Sequence, residues 1–291
     1  MILVTGATGQ FGSKAIDHLL RKGVDKTQVA ALVRDTAKAN SLTDKGIELR
    51  KGDYSDVESL QQAFRGIDTL LLVSSNDRSA VENRTAHHLN VIRAAKEAGV
   101  KHIVYTSFVR KPGYEDSAIA AFQNSHVETE DYLKRSGVTY TILQNGIYLE
   151  MIPVFAGKAA ETGVIMFPAG EGKASWVLRE ELAEAAAHVL TTEGHENKTY
   201  CLTNTESVSF TGIASELSNV LGRKVVYQSP PVSQYEDILQ QAGVPDLYIG
   251  MFTMWATAVA QGALDVRDES LSLFLGRKPA TVKQFLTKTY G

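Results

Sequence analysis

Val4-Thr5-Gly6-Ala7-Thr8-Gly9-Gln10-Phe11-Gly12 is the stretch that decides the fold. It follows an apolar, β-branched run, Ile2–Thr5, and opens a segment in which Phe11, Ala15 and Leu19 recur every four residues with Ile16 and Leu20 beside them. That is a strand, a tight turn and an amphipathic helix in succession. The glycine spacing is G-x-x-G-x-x-G. Gly6 permits a sharp exit from the strand, Gly9 offers a side-chain-free backbone, and Gly12 lets the helix pack against the sheet. The helix start presents unpaired N–H groups to an anion. In this context the glycines predict a dinucleotide-binding turn, with Gly6, Thr8, Gly9, Gln10, Phe11 and Gly12 around the phosphates. The weaker reading is a purely structural turn.

The same rhythm continues outward. Val29–Val33, Ile47–Arg50, Thr69–Val73, His102–Thr106 and Thr139–Leu143 read as buried parallel strands. Helical patterns over Val57–Phe64, Ala80–Ala98 and Glu128–Arg135 lie between them, and Gly23, Gly46, Gly66, Gly99 and Gly137 stand where helices end. Strand–helix alternation of this kind predicts an α/β fold, a Rossmann-like doubly wound parallel sheet. After Tyr148 the rhythm breaks. A helix over Arg179–Leu190, a strand at Lys198–Leu202, a helix at Phe210–Leu221 and mainly helical residues from 232 on predict a smaller α/β C-terminal lobe. The expected division is 1–147 for the nucleotide domain and 148–291 for a substrate-facing lobe partly interleaved with the sheet.

Composition narrows the classes. The 291 residues are 44% hydrophobic and 22% charged, which is ordinary for a globular chain. With 30 basic and 33 acidic residues there is no basic excess to meet a nucleic-acid backbone. The single cysteine, Cys201, excludes an intrachain disulfide or a cysteine-built zinc site. No apolar run is long enough to span a bilayer, and the chain starts on a strand-like segment, so a cytoplasmic protein with no membrane partner is expected. There is no nucleophile elbow, no P-loop lysine and no helical pair of zinc-binding histidines.

Cofactor choice is read at the end of the second strand. An acidic residue there would bind the ribose 2′-hydroxyl of NAD. The sequence is Ala30-Ala31-Leu32-Val33-Arg34-Asp35, so the guanidinium of Arg34 comes first and suits the 2′-phosphate of NADP. NADPH is therefore preferred over NADH, although Asp35 could pair with Arg34 or face the ribose. Asp53, with Tyr54 beside it, follows the third strand and could accept from the adenine amino group or simply sit near a helix cap. Ser74 and Ser75 end the fourth strand at the edge where ligands bind. Asn145 and Tyr148 follow the sixth. Phe108, Phe155 and Trp176 are candidate aromatic walls for an apolar pocket.

Thr5 to Gly12, Val33-Arg34, Gly52-Asp53-Tyr54, Ala98 to His102, Tyr105-Thr106-Ser107, Tyr140 to Gly146 and Glu193 to Tyr200 together resemble the NmrA-like branch of the atypical short-chain dehydrogenase/reductases. Within it, the resemblance is to the bacterial NADPH-dependent quinone oxidoreductase and triphenylmethane (dye) reductase group. It implies hydride transfer from NADPH to a quinone-like or conjugated dye-like small molecule, and it extends the cofactor set to Thr106 and Ser107.

The chain departs from ordinary short-chain dehydrogenases where those carry Tyr-x-x-x-Lys. Here Phe122 and His126 have that spacing. His126 stands where related reductases carry lysine and could bond the nicotinamide ribose or donate a proton. Glu130, one turn on, could orient its ring. His126 and Tyr148 are the catalytic candidates. The alternative expectation is a non-catalytic, NADP(H)-binding redox-sensing regulator; a sugar-nucleotide epimerase fits less well without the Tyr/Lys pair. A homodimer stays open.

Overall fold

A computed structural model describes residues 1–75 and 78–291, with the side chains of residues 78–82 left out of the description. Seven strands form the main sheet: β1 (Ile2–Val4), β2 (Val29–Val33), β3 (Glu48–Lys51), β4 (Thr69–Leu72), β5 (His102–Phe108), β6 (Thr139–Asn145) and β7 (Lys198–Leu202). Their order is β3-β2-β1-β4-β5-β6-β7. The pairings through β6 are parallel, with Val4 opposite Ala31 and Leu71, Leu72 opposite Tyr105, and Phe108 opposite Asn145. On β7 the amide of Asn197 bonds Tyr140 and the carbonyl of Leu202 receives Gly146, so numbers rise together there too. The order reverses between β1 and β4, and the carboxyl ends of both open onto the same edge. A doubly wound sheet binds its ligand in that crevice.

The helices that alternate with these strands are α1 (Gln10–Arg21), α2 (Asn40–Thr43), α3 (Val57–Ala63), α4 (Arg78–Glu97, with a break at Asn83), α5 (Ala120–Arg135) and α6 (Arg179–Thr191). Leu3, Leu32, Phe64, Leu70, Ile92, Ile103 and Leu133 form one buried cluster between the strands and α3, α4 and α5. This burial is the main stabilising term for a parallel sheet covered by helices. The five glycines expected at helix ends all have positive φ, between +72° and +85°. α5 begins eight residues before the expected Glu128.

Tight contacts gather the chain into two units. The first comprises Met1–Phe108, Asn124–Asn145 and Arg179–Cys201; the second comprises Val109–Gln123, Gly146–Leu178 and Leu202–Gly291. The first holds the large sheet. In the second, Val164–Met166 pairs in parallel with Val226–Gln228, and Lys173–Ala174 pairs antiparallel with Val208–Ser209. Its core is aromatic: Phe155 stacks on Phe167 at 4.8 Å between centroids, and Trp176 meets Phe210 edge-on at 5.9 Å. Phe155 and Trp176 are buried in that core. Among the described residues no helix is long and apolar enough to cross a membrane, and no group of His, Cys, Asp and Glu is placed to hold a metal ion.

Candidate active site

Gly6 leaves β1 with φ +57°, and its carbonyl receives the amide of Gly9 at 2.9 Å. A Cβ on Gly12 would overlap that carbonyl, coming within 2.7 Å of its carbon, so the close approach of α1 to the turn requires glycine. α1 starts from Gly9 with no side-chain cap, whereas α3 is capped by Asp56. An uncapped helix start at the switch point leaves its first-turn N–H groups directed at an anion. Thr8, Gly9 and Gln10 are exposed, while Phe11 is buried beneath the turn. Gln10 accepts from the guanidinium of Arg179, the first residue of α6. Arg179 was not among the sequence candidates. It adds a cation beside the phosphate turn, and nothing local in the sequence links residue 179 to residue 10.

Arg34 is exposed at the end of β2. Asp35 takes part in its own turn: its carboxylate accepts from the amide of Ala37 at 3.0 Å and lies 3.7 Å from Lys38. Asp53 is the residue influenced by Arg34. Burial pushes its carboxyl pKa up, but bonds from the Ser55 hydroxyl and amide, with the charges of Arg34 and His87, hold it below the usual value. Tyr54 does not swing free beside Asp53. Its hydroxyl is 2.5 Å from Thr5 Oγ1 and 2.9 Å from the carbonyl of Val73, so it pins β1 to the end of β4 beneath the crevice.

Ser74 and Ser75 are half-buried at the end of β4. The amide of Ser74 donates to Thr106 Oγ1 at 2.8 Å. The amide of Ser75 donates to His88 Nε2 at 3.1 Å, and its carbonyl accepts from Arg84 Nε at 3.0 Å. Thr106 thus holds the β4 end in place. The hydroxyl of Ser107 donates to Glu130 at 2.6 Å, and Glu130, fully buried, also accepts from Gln144 at 3.0 Å.

His126 is 3% exposed, on α5. Its Nδ1 lies 2.8 Å from the Tyr105 hydroxyl and its ring packs 6.2 Å from Phe108. Tyr105, a residue of β5, meets the ring at Nδ1, and Glu130 bonds Ser107 and Gln144. Asn145, at the end of β6, is 2% exposed, and its Oδ1 has no hydrogen-bond partner. A buried amide oxygen left unpaired costs about 1–3 kcal/mol, so an acceptor in this position suits an incoming N–H donor. Tyr148 lies in the second unit, where it opens a short turn at Leu149–Met151 and its backbone pairs with Val177.

The first unit thus brings the glycine turn, Arg34, Asp53, Ser74, Ser75, Thr106, Ser107, His126 and Asn145 onto the carboxyl edge of one sheet or directly beneath it. Sequence reasoning missed His88, Tyr105 and Arg84. The available signal was polar residues at core positions of a helix and a strand: His88 lies one helical turn before Val91 and Ile92, which are in the core, and one turn after Arg84.

Comparison with known proteins shows what the whole chain is similar to. Quinone oxidoreductase 2 of Escherichia coli (strain K12) is 37% identical over 290 residues, covering 100% of this chain and 99% of that protein. The structure of an NADPH-dependent quinone oxidoreductase from Escherichia coli complexed with NADPH superposes with a TM-score of 0.92 at 36% identity, covering 100% of both chains. That of the Citrobacter sp. triphenylmethane reductase complexed with NADP(H) gives 0.91 at 39% identity, covering 99% of each. Residues 1–286 match the NmrA-like family as a whole. From the glycine turn to the last helix, the chain belongs to the NmrA-like family.

Proposed function

We propose that the chain is an NADPH-dependent oxidoreductase that delivers hydride to quinone-like or conjugated dye-like acceptors. The observation that carries this reading is the pairing of an uncapped α1 N-terminus with an exposed Arg34 whose acidic neighbour is held in its own turn. Relatives that share the whole chain are a quinone oxidoreductase and a triphenylmethane reductase, each solved with the phosphorylated dinucleotide.

NADPH, when bound, supplies the hydride from its nicotinamide. The chain supplies position. First-turn N–H groups of α1, with Gly6, Thr8, Gly9, Gln10, Phe11 and Gly12, take the pyrophosphate. Arg34 takes the 2′-phosphate through a forked, charge-assisted bond, and Asp53 lies toward the adenine side. Ser74 and Ser75, with Thr106 and Ser107 behind them, set the backbone under the cofactor. The orphan Oδ1 of Asn145 accepts from the nicotinamide carboxamide, and His126 donates to the nicotinamide ribose or to the acceptor. Tyr148 is proposed separately as an acceptor contact, tested by whether Tyr148→Phe alters the KM for the acceptor and leaves that for NADPH unchanged.

The missing tyrosine–lysine pair fits this substrate class. A quinone taking hydride becomes a delocalised anion, and a cationic dye becomes neutral, so neither requires a strong positioned acid. Every cofactor-facing residue named lies in one unit of one chain, so a second copy is not needed to complete the set, and a homodimer would serve as well as a monomer. We place the enzyme in the cytoplasm, where a nicotinamide reductant is kept reduced. Steady-state oxidation of NADPH and NADH with a panel of benzoquinones and triphenylmethane dyes tests the reading. Turnover with NADPH at least about tenfold more efficient than with NADH is expected from one or two charge-assisted bonds; no turnover with any acceptor overturns it.

A further inference from the structure

Beneath the ends of β4 and β5, where apolar packing would ordinarily continue, four polar side chains are buried together: His88, Tyr105, His126 and Thr129. Polar groups are tolerated there only when they satisfy one another. The Tyr105 hydroxyl is 2.8 Å from His126 Nδ1 and 3.3 Å from His88 Nδ1. His88 Nδ1 is 3.1 Å from Thr129 Oγ1, and His88 Nε2 is 3.1 Å from the amide nitrogen of Ser75.

The direction of this chain of bonds is set at one end by the backbone. An amide N–H can only donate, so His88 Nε2 accepts, and the hydrogen of the neutral ring is on Nδ1. Burial, reinforced by the charges of Arg84 and His87, holds the His88 pKa down to about 3, so the ring is neutral under ordinary conditions. The hydroxyl of Thr129 donates to the carbonyl of Ser125 at 2.8 Å, which leaves its oxygen to accept from His88 Nδ1–H. Tyr105 also faces that N–H and keeps its own hydrogen, since burial raises its pKa above the usual phenol value. The hydrogen goes to the strongest base in reach. That is the imidazole nitrogen of His126 rather than a hydroxyl oxygen. With His126 Nδ1 accepting, its ring hydrogen is on Nε2.

We infer that His88 and Tyr105 are positioning residues that lock His126 in its Nε2–H form, so that it meets its ligand only as a hydrogen-bond donor. The functional part of this inference rests on the proposed role of His126 at the nicotinamide. A fixed donor suits an oxygen that gains negative charge, such as a quinone carbonyl receiving hydride, or a ribose hydroxyl oxygen. It does not suit a group that must itself give up a proton. The lock also gives His88 and Tyr105, both fully buried, a reason to be polar.

The test reads the tautomers directly. The full chain is labelled with nitrogen-15 histidine and studied in complex with NADP⁺, with two-bond proton–nitrogen correlation spectra showing which ring nitrogen carries hydrogen. The expected result is His88 in the Nδ1–H form and His126 in the Nε2–H form. Tyr105→Phe keeps the ring and removes the hydroxyl; His126 then populates both tautomers, and kcat falls about fivefold to tenfold, the equivalent of one lost hydrogen bond, with little change in the KM for NADPH. His126 found with its hydrogen on Nδ1 in the wild-type chain overturns the lock, as does an unchanged His126 spectrum in Tyr105→Phe. If that variant does not fold, the wild-type spectrum decides alone. Wild-type kcat in His126→Ala, with the Nε2–H form confirmed, instead overturns the role given to His126 and leaves the lock standing.

Discussion

Arg34 and Asp35 are adjacent and of opposite charge. Asp35 bonds the amide of Ala37 in its own turn, and Arg34 stays exposed at the sheet edge. Arg34→Ser is therefore expected to weaken NADPH about tenfold or more while leaving NADH nearly unchanged, because the lost bonds are charge-assisted and belong to the 2′-phosphate alone. Separate KM values for the two coenzymes check this. Gly12→Ala tests the turn: its methyl would strike the Gly6 carbonyl, and overpacking of backbone costs about 1–3 kcal/mol or more. Urea unfolding should show that loss of stability, and calorimetry should show weakened NADPH binding. His88 carries a pH signature. Its pKa is depressed in the folded state to about 3, so its neutral form contributes stability fully above its unfolded pKa of about 6.5, and that contribution is lost as pH falls toward the folded value. Wild-type stability should thus drop more steeply across this acidic window than that of His88→Gln, by a few kcal/mol on the scale of about 1.4 per tenfold. Parallel denaturation curves for the two proteins would refute this.

At the scale of elements, legibility followed contrast. The strands of the first 145 residues were readable because short apolar runs follow helices that end on glycines in left-handed backbone. The glycine turn was readable because a strand, a turn and an amphipathic helix occur in the right order. The buried face of α5 was not. Gln123, His126, Thr129 and Glu130 are polar and buried, so this helix shows no apolar stripe against a solvated face. The hidden network beneath β5 follows from the same fact: a buried polar side chain looks like a surface residue in sequence, and only its partners on α4 and β5 reveal it. The coupling of α1 to α6 was equally silent, since it joins residues over 150 positions apart. Glu180 of α6 receives Lys14, His18 and Arg21 from α1. Burial pushes its pKa up, but these three partners outweigh that and hold it down to about 2. Because the cluster is partly exposed, Glu180→Gln is expected to lower stability at neutral pH only slightly, by less than about 1 kcal/mol, and less still at high salt. The difference from wild type should fade as pH falls from the usual glutamate range toward the folded value, where Glu180 itself takes up a proton. Thermal melts at two salt concentrations measure it.

For the molecule as a whole, the division of labour is between a sheet unit that offers every proposed cofactor contact and a second unit built on an aromatic core. The chain passes between them after residues 108, 123, 145, 178 and 201. No linker composition marks those points, so the expected division at 147/148, with the later residues partly interleaved with the sheet, followed the sequence rhythm. The account as a whole stands on hydride leaving NADPH held at the glycine turn for a conjugated acceptor. The most direct measurement is turnover of a cationic triphenylmethane dye with NADPH deuterated at both hydrogens of C4, followed by mass and magnetic-resonance analysis of the decolourised product. Deuterium on the central carbon of the dye, in one-to-one proportion to NADPH consumed, is the predicted result. NADPH that binds but is not oxidised, or a decolourised dye free of deuterium, would contradict the account, and the first of these outcomes would return the chain to the non-catalytic, redox-sensing reading.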